Sequence, residues 1–512
     1  SGPAGWPGPL WSSASFEEAS TLLGKASLPA PSPAMQALLR RLLLSGDEPS
    51  GGKSPDAFRA VRLDALYRAG LLQDASALLA QQSGAAGDPV TQLASVRLLL
   101  ALGQDGKACV QTKAIPLKSP DLTGRAHTDA LMLVAYCVAR DKQSNHAGVA
   151  AEVLRDQKVQ APLALAVLDS LADSKTPKLP RTESVGLIDY KFLALLGHVP
   201  AERLLAKATP DLILAIANDK SAEPDARLQA AEAAARLNMI DGEHLAAVYR
   251  SAAVDAQAQA DPLATSLEHA ARRAAITQAL ARETAPVRKA PLIRALLDAA
   301  RGDGLYPQVA AMLAPEVARW PLTPDLTSFR ETAIEVLLAG GQYDKAVSWV
   351  LMGETAAGPA GNTLLHWMTL IDIGDAEGHV PHGSSLKYAE DLAAAGALSP
   401  LMLQRLATVL DALEYDVPIP IWQGAQNAAA SDQGHLPDTG QLTALDEAAK
   451  QHNLGKVVLL AAAAIGPDRA QGAHLIALSG AIRSLKAVGL EHDARRLAFE
   501  ALFEAWPRRP GG

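Results

Sequence analysis

Apolar residues recur at helical spacing over most of the chain. The pattern predicts a helix beginning near Ala34-Met35-Gln36-Ala37-Leu38-Leu39 and another from Phe58 to Tyr67. In the second, Phe58, Val61, Leu63, Leu66 and Tyr67 keep close to a 3.6-residue stripe. Pro or Asp opens several such stretches, as at Pro55-Asp56, Pro224-Asp225 and Pro286, in keeping with capping and first-turn preferences. Two Pro-bearing breaks interrupt the periodicity, one over 174–180 and one over 416–440 with Pro418, Pro420 and Pro437. Five blocks follow. Residues 1–31, rich in Pro, Gly and Ser, read as a tether that partly docks through Trp6, Trp11 and Phe16. Residues 32–174 and 187–413 read as helical-repeat blocks, 414–441 as a Pro-rich loop, and 442–506 as a C-terminal helical cap.

A short phrase recurs across these blocks: a Leu-rich helix, Gly, four residues, then Ala opening a second helix. It stands at Gly70 to Ala75, Gly103 to Ala108, Gly341 to Ala346 and Gly489 to Ala494. A Gly at a helix end can take φ > 0 and stop the helix, and a small Ala lets the returning helix pack closely. Repetition of such a unit stacks helix pairs into a solenoid.

Ala339-Gly340-Gly341-Gln342-Tyr343-Asp344-Lys345-Ala346-Val347 resembles the inter-helix turn of a tetratricopeptide repeat. The other three turns lack the Tyr, and the full consensus with its terminal Pro is missing. The resemblance implies an all-α fold, a right-handed superhelix of stacked antiparallel helix pairs that presents a concave groove to a protein partner.

Composition agrees with a helical reading. Hydrophobic residues make up 49% but aromatics only 4%, so the apolar mass is Ala, Leu and Val. A net charge of −8 argues against an electrostatic nucleic-acid binder, and the basic pairs Arg40-Arg41 and Arg272-Arg273 are short and isolated. The longest apolar stretch, Val457 to Ile465, is far short of the roughly 20 residues that span a bilayer. Ser1-Gly2-Pro3 reads as a processed or engineered start, with targeting information removed.

Cys109 lies at the start of one expected helix and Cys137 late in the next, so antiparallel neighbours could bring them together. A disulfide there would point to an oxidising, exported location. Two buried free thiols are the alternative.

Catalytic signals are weak. Gly46-Asp47-Glu48-Pro49-Ser50-Gly51-Gly52-Lys53-Ser54 has the ending of a phosphate-binding loop, but Asp47 stands where Gly is required. His366, Asp372, Asp375, Glu377, His379 and His382 form the densest set of metal-ligand types, without a His-Glu-x-x-His spacing, and read as a solvated loop. Ser384-Ser385 beside His382 lacks a nucleophile elbow. Arg301-Gly302-Asp303 reads as a helix-end turn. No enzyme, cofactor or metal is expected. Five of the seven Trp lie from Trp320 onward, and most read as core. Trp422, with Ile419 and Ile421 in a Pro-rigid apolar segment, is the expected docking element.

The expected function is therefore a non-catalytic scaffold or adaptor binding protein partners. The Ala, Leu and Pro bias resembles a GC-rich bacterial proteome, which with a disulfide places the chain in the periplasm; a cytoplasmic location is the alternative. Periplasmic solenoids of similar build organise envelope assemblies, including flagellar motors and peptidoglycan-synthesis complexes. Carriage of a lipid or other small ligand inside the superhelix, or a non-catalytic subunit of a cell-wall enzyme, are the competing readings. Partner identity and oligomeric state do not follow from the sequence.

Overall fold

Four turns with one hydrogen-bond pattern carry the architecture. Gly70, Gly103, Gly341 and Gly489 all sit at φ between 71° and 82°. Each donates its N–H to the carbonyl three residues back, and the next residue donates to the carbonyl five residues back, as in Leu71 to Leu66 at 2.9 Å and Gln342 to Leu337 at 2.8 Å. This double bond satisfies carbonyls that a helix end leaves orphaned. Ala75, Ala108, Ala346 and Ala494 then donate into the first turn of the returning helix and are 0–1% exposed. There is no room for a larger side chain at such a crossing without overpacking.

The computed structural model describes residues 5–52, 57–81, 88–141, 143–197, 201–264, 267, 269–352, 363–428 and 434–508. Among the described residues the chain is all-α, 66% helical, with 29 α-helices and no strand. Many packed helices are consistent with helical repetition. Helix starts follow the expected chemistry. Pro224 and Pro286 are the first residues of their helices, where a missing N–H costs nothing, while Pro55-Asp56 and Ser1-Gly2-Pro3 lie outside the described residues. Ser32, Asp241, Ser399 and Asp438 accept a backbone N–H as N-caps, each worth about 1 kcal/mol.

Two compact units divide the chain, residues 53–234 and residues 1–52 with 235–512. Neither Pro-bearing break separates them; 174–180 lies inside one and 416–440 inside the other. After the first break the chain is tied down, with Val185 donating to Lys207 at 2.8 Å and accepting from Thr209 at 2.9 Å. The second contains the helix Ile419–Ala425. Pro418 caps it and Pro420 stands in its first turn, so the residues that suggested a loop instead start a helix.

In the contiguous unit, consecutive helices pack in pairs: Ala57–Arg68 with Leu72–Ala80, Pro89–Ala101 with Asp105–Thr112, and Gly124–Ala139 with Ser144–Asp156. Within Ala57–Arg68, Phe58, Leu63, Leu66 and Tyr67 are buried as the stripe predicts. Val61 sits at the margin and Arg62 is buried in its place.

The discontinuous unit closes the two ends of the sequence on each other. Phe16–Lys25 packs on Leu454–Ile465, and Pro33–Leu44 packs on Leu454–Ile465 and Glu491–Phe503. Leu10 is fully buried and Trp6 and Trp11 are each 6% exposed, so the expected tether docks along its described length. Gly455 donates to the Leu10 carbonyl at 2.8 Å. Its bare Cα admits the Trp11 ring, three atoms of which lie 2.5–2.7 Å from where a Cβ would stand. Farther along, the Glu500 carboxylate accepts from Ser32 Oγ at 2.7 Å, Ala34 N at 3.1 Å and Ala470 N at 3.0 Å, capping two helix starts at once. Arg41 stacks 4.4 Å over Trp6 and pairs with Asp493 at 2.8 Å.

Candidate functional site

Most residues with suggestive chemistry are spent on structure. Arg301 pairs with Glu335 at 2.9 Å, and Asp303 accepts from Arg273 at 2.6 Å and from the His269 ring at 2.9 Å. The turn there belongs to Gly304, at φ 66°, with Leu305 donating to Ala300 at 3.0 Å. Asp47 accepts the Leu10 N–H at 2.9 Å, and Lys53 and Ser54 lie outside the described residues. Trp320, Trp349, Trp367 and Trp506 are 0–7% exposed.

The His/Asp-rich stretch builds a buried hub. The helix Trp367–Gly374 carries Asp372, whose side chain is 1% exposed. One carboxylate oxygen accepts from Gly383 N at 3.0 Å and Ser385 Oγ at 2.7 Å. The other accepts from Tyr415 Oη at 2.6 Å and lies 3.3 Å from His382 Nδ1. Tyr415 is aimed by a Gly-type turn made without Gly. Glu414 takes φ 65° and Tyr415 donates its N–H to Leu410 at 2.9 Å. Arg495, 3% exposed, donates to the Asp372 carbonyl at 3.0 Å and to Tyr415 Oη at 2.9 Å, and pairs with Glu491 at 2.7 Å. Burial, then the hydrogen bond to Asp372, pushes the Tyr415 hydroxyl far above its ordinary range. A buried carboxylate is costly unless its lone pairs are met, and here they are.

Three residues on, Asp375 repeats the arrangement. It is 2% exposed and accepts from Glu377 N at 3.0 Å, His379 N at 2.7 Å and His379 Nδ1 at 2.9 Å. Burial works to raise the Asp375 pKa, but the His379 backbone, the His379 ring and the Glu377 N–H outweigh it and hold it below the ordinary value. The His379 ring is held above its own ordinary value, first by the hydrogen bond to Asp375.

As chemistry, the hub positions rather than attacks. In a nucleophilic triad the base stands between nucleophile and carboxylate. Here the carboxylate stands in the middle, with Ser385, 1% exposed, donating straight to it. The six residues of metal-ligand type do not converge either. His366 lies 3.0 Å from the Pro507 carbonyl, His382 faces Asp372, and His379 faces Asp375 with Glu377 3.7 Å from its Nε2. Among the described residues no group of three or more His, Cys, Asp or Glu is placed to hold a metal ion.

The expected docking element splits in two. On the helix Ile419–Ala425, Ile421 is fully buried and Ala425 is 4% exposed, whereas Ile419 and Trp422 are 69% and 42% exposed. Leu403 fits against Gly424, where a Cβ would lie 2.5 Å from its methyl. Ile419 and Trp422, three residues apart, thus share the outward side, and Ile421 belongs to the core.

Cys109 and Cys137 are joined by a disulfide, with Cα atoms 5.4 Å apart, linking Asp105–Thr112 to Gly124–Ala139. Tyr415 and Arg495 carry no signal in the sequence, since they lie 43 and 123 residues from Asp372. Among the described residues no helix is long and apolar enough to cross a membrane. No family model matches the chain, and no curated protein or solved structure matches it.

Proposed function

We propose that this protein is a non-catalytic helical scaffold of tetratricopeptide-like kind, its helix pairs stacked into a right-handed superhelix, that binds a protein partner through the outer side of Ile419–Ala425. One observation carries the reading: two large apolar side chains, Ile419 and Trp422, stand one helical turn apart in solvent on a helix anchored by Ile421 and Ala425. A Trp held on a rigid helix offers wide contact area at low entropic cost, which is how binding hot spots work. The Cys109–Cys137 bridge supports an exported, oxidising home. With the Ala, Leu and Pro bias of the chain, that favours the bacterial periplasm and a role in a cell-envelope assembly such as a flagellar motor or peptidoglycan-synthesis complex.

The test places a photo-crosslinking amino acid at position 422 in living cells, with position 450, also on an exposed side chain, as the control. A discrete adduct at 422 that falls at least about tenfold on Ile419→Ser supports the reading. Labelling at 422 no greater than at 450 overturns it.

A further inference from the structure

Two half-exposed imidazoles lie against two aspartates that are almost wholly buried, all within one short turn. His379 and His382 are 39% and 38% exposed, while their partners Asp375 and Asp372 are 2% and 1% exposed. Each aspartate also holds backbone of the same turn, Asp375 through the N–H groups of Glu377 and His379 and Asp372 through that of Gly383. Both aspartates belong to the end of the helix Trp367–Gly374, Asp375 as its C-cap. The turn is therefore stitched to one helix end by two carboxylates, and the Asp375 stitch includes an imidazole, that of His379, that can gain a proton near neutral pH.

We propose that the 375–385 turn is a proton-operated clasp: protonation of His379 locks it against the end of Trp367–Gly374, and deprotonation slackens it. A charged imidazole makes a charge-assisted hydrogen bond to carboxylate, roughly twice as strong as the neutral one. The groups facing His379 are all acidic: Asp375 at 2.9 Å, Glu377 at 3.7 Å from Nε2, and Asp344 on the neighbouring helix Tyr343–Leu351. The second stitch is fixed by geometry, with His382 facing Asp372 and the Tyr415 hydroxyl, 3.4 Å away, and the Arg495 guanidinium behind that hydroxyl.

The sign of the effect follows from linkage. Because the His379 pKa is raised on folding, its stabilisation is complete below about pH 6.5 and drains away as pH rises through the folded value. Because the Asp375 pKa is lowered, its share is complete above about pH 3.9 and is lost as pH falls through the folded value. The clasp is tightest between roughly pH 4 and 6.5. The turn runs directly into Leu386–Ala394, which packs on both Trp367–Gly374 and Ile419–Ala425. That gives the clasp a mechanical route to the helix bearing Trp422, although the clasp itself stands without the scaffold reading.

Amide hydrogen exchange on the full chain at pH 5.5 and pH 8.0, corrected for intrinsic rates, tests it. Peptides covering 376–384 should lose at least about threefold in protection at pH 8.0, while peptides from the helix Leu454–Ile465 do not change. His379→Asn keeps an amide donor near the Nδ1 position but cannot gain a proton, and should flatten the response. Selective imidazole NMR should place the His379 midpoint above about 6.5. Equal protection of the wild-type turn at both pH values overturns the clasp. So does an unchanged pH response in the His379→Asn variant. Should that variant not fold, His379→Gln is read in the same way.

Discussion

The two units solve the same problem, an Ala- and Leu-rich helical core with few aromatics, by different means. The unit of residues 53–234 is contiguous, nearly neutral with 21 Lys and Arg against 20 Asp and Glu, and carries the covalent bridge between Cys109 and Cys137. The unit of residues 1–52 and 235–512 is discontinuous and acidic, with 26 against 35, and is held by contacts between sequence ends. Its long-range ties include Trp11 on Gly455, Glu500 on Ser32 and Ala34, and Arg495 on Asp372. A contiguous fold can be stapled locally. A discontinuous one depends on side chains that meet only when both ends are present.

The sharpest way to break this contrast is Trp11→Ala. It removes a buried ring that fills the face of Gly455 and should cost about 3–5 kcal/mol. Limited proteolysis with mass mapping should find the loss in the discontinuous unit, with 57–234 as protected as before. Equal loosening in both units would show that they do not unfold separately. Next in size is Cys109→Ser with Cys137→Ser. Opening a link across 28 residues should cost about 3–4 kcal/mol by loop-closure entropy, confined to the contiguous unit. Chemical denaturation followed by hydrogen exchange would show it, and unchanged protection of Asp105–Thr112 and Gly124–Ala139 would remove the bridge from the account. The smallest effect serves as the control. Gly103→Ala in one unit and Gly341→Ala in the other force the same left-handed turn on an L-residue, and each should cost about 1 kcal/mol. Similar shifts in denaturation midpoint for the pair would show that the turn is one device used twice, and a large inequality would separate them.

The turn was the most legible part of the fold because Gly advertises a positive φ. Where another residue does the same work, the signal disappears. Lys158, Glu414 and His452 stand at φ 50–65° with the same pair of bonds, as in Val159 to Leu154 and Asn453 to Ala448. Such residues strain the backbone by about 1–2 kcal/mol, and only packing around them repays it. Composition misled at Pro418-Ile419-Pro420, where two prolines begin a helix. The hub was half visible: Asp372, Asp375, His379 and His382 stand together in the chain, but their polarity read as a solvated loop, whereas both aspartates are buried. Their partners are one another, Tyr415 and Arg495, and those long-range pairings follow from tertiary structure alone.

The closure of the chain ends also sets a timetable. The backbone site that receives Leu10 is Gly455, about 445 residues later in synthesis. At ribosomal speeds of about 5–20 residues per second, that interval is roughly 20–90 s. Throughout it Leu10 and Trp11 lack their partner Gly455, while residues 53–234, complete much earlier, can already pack. A segment made long before its partner is thus among the last to find its place, and a chaperone that holds the Trp- and Leu-bearing stretch 6–11 would act on the slow step of assembly.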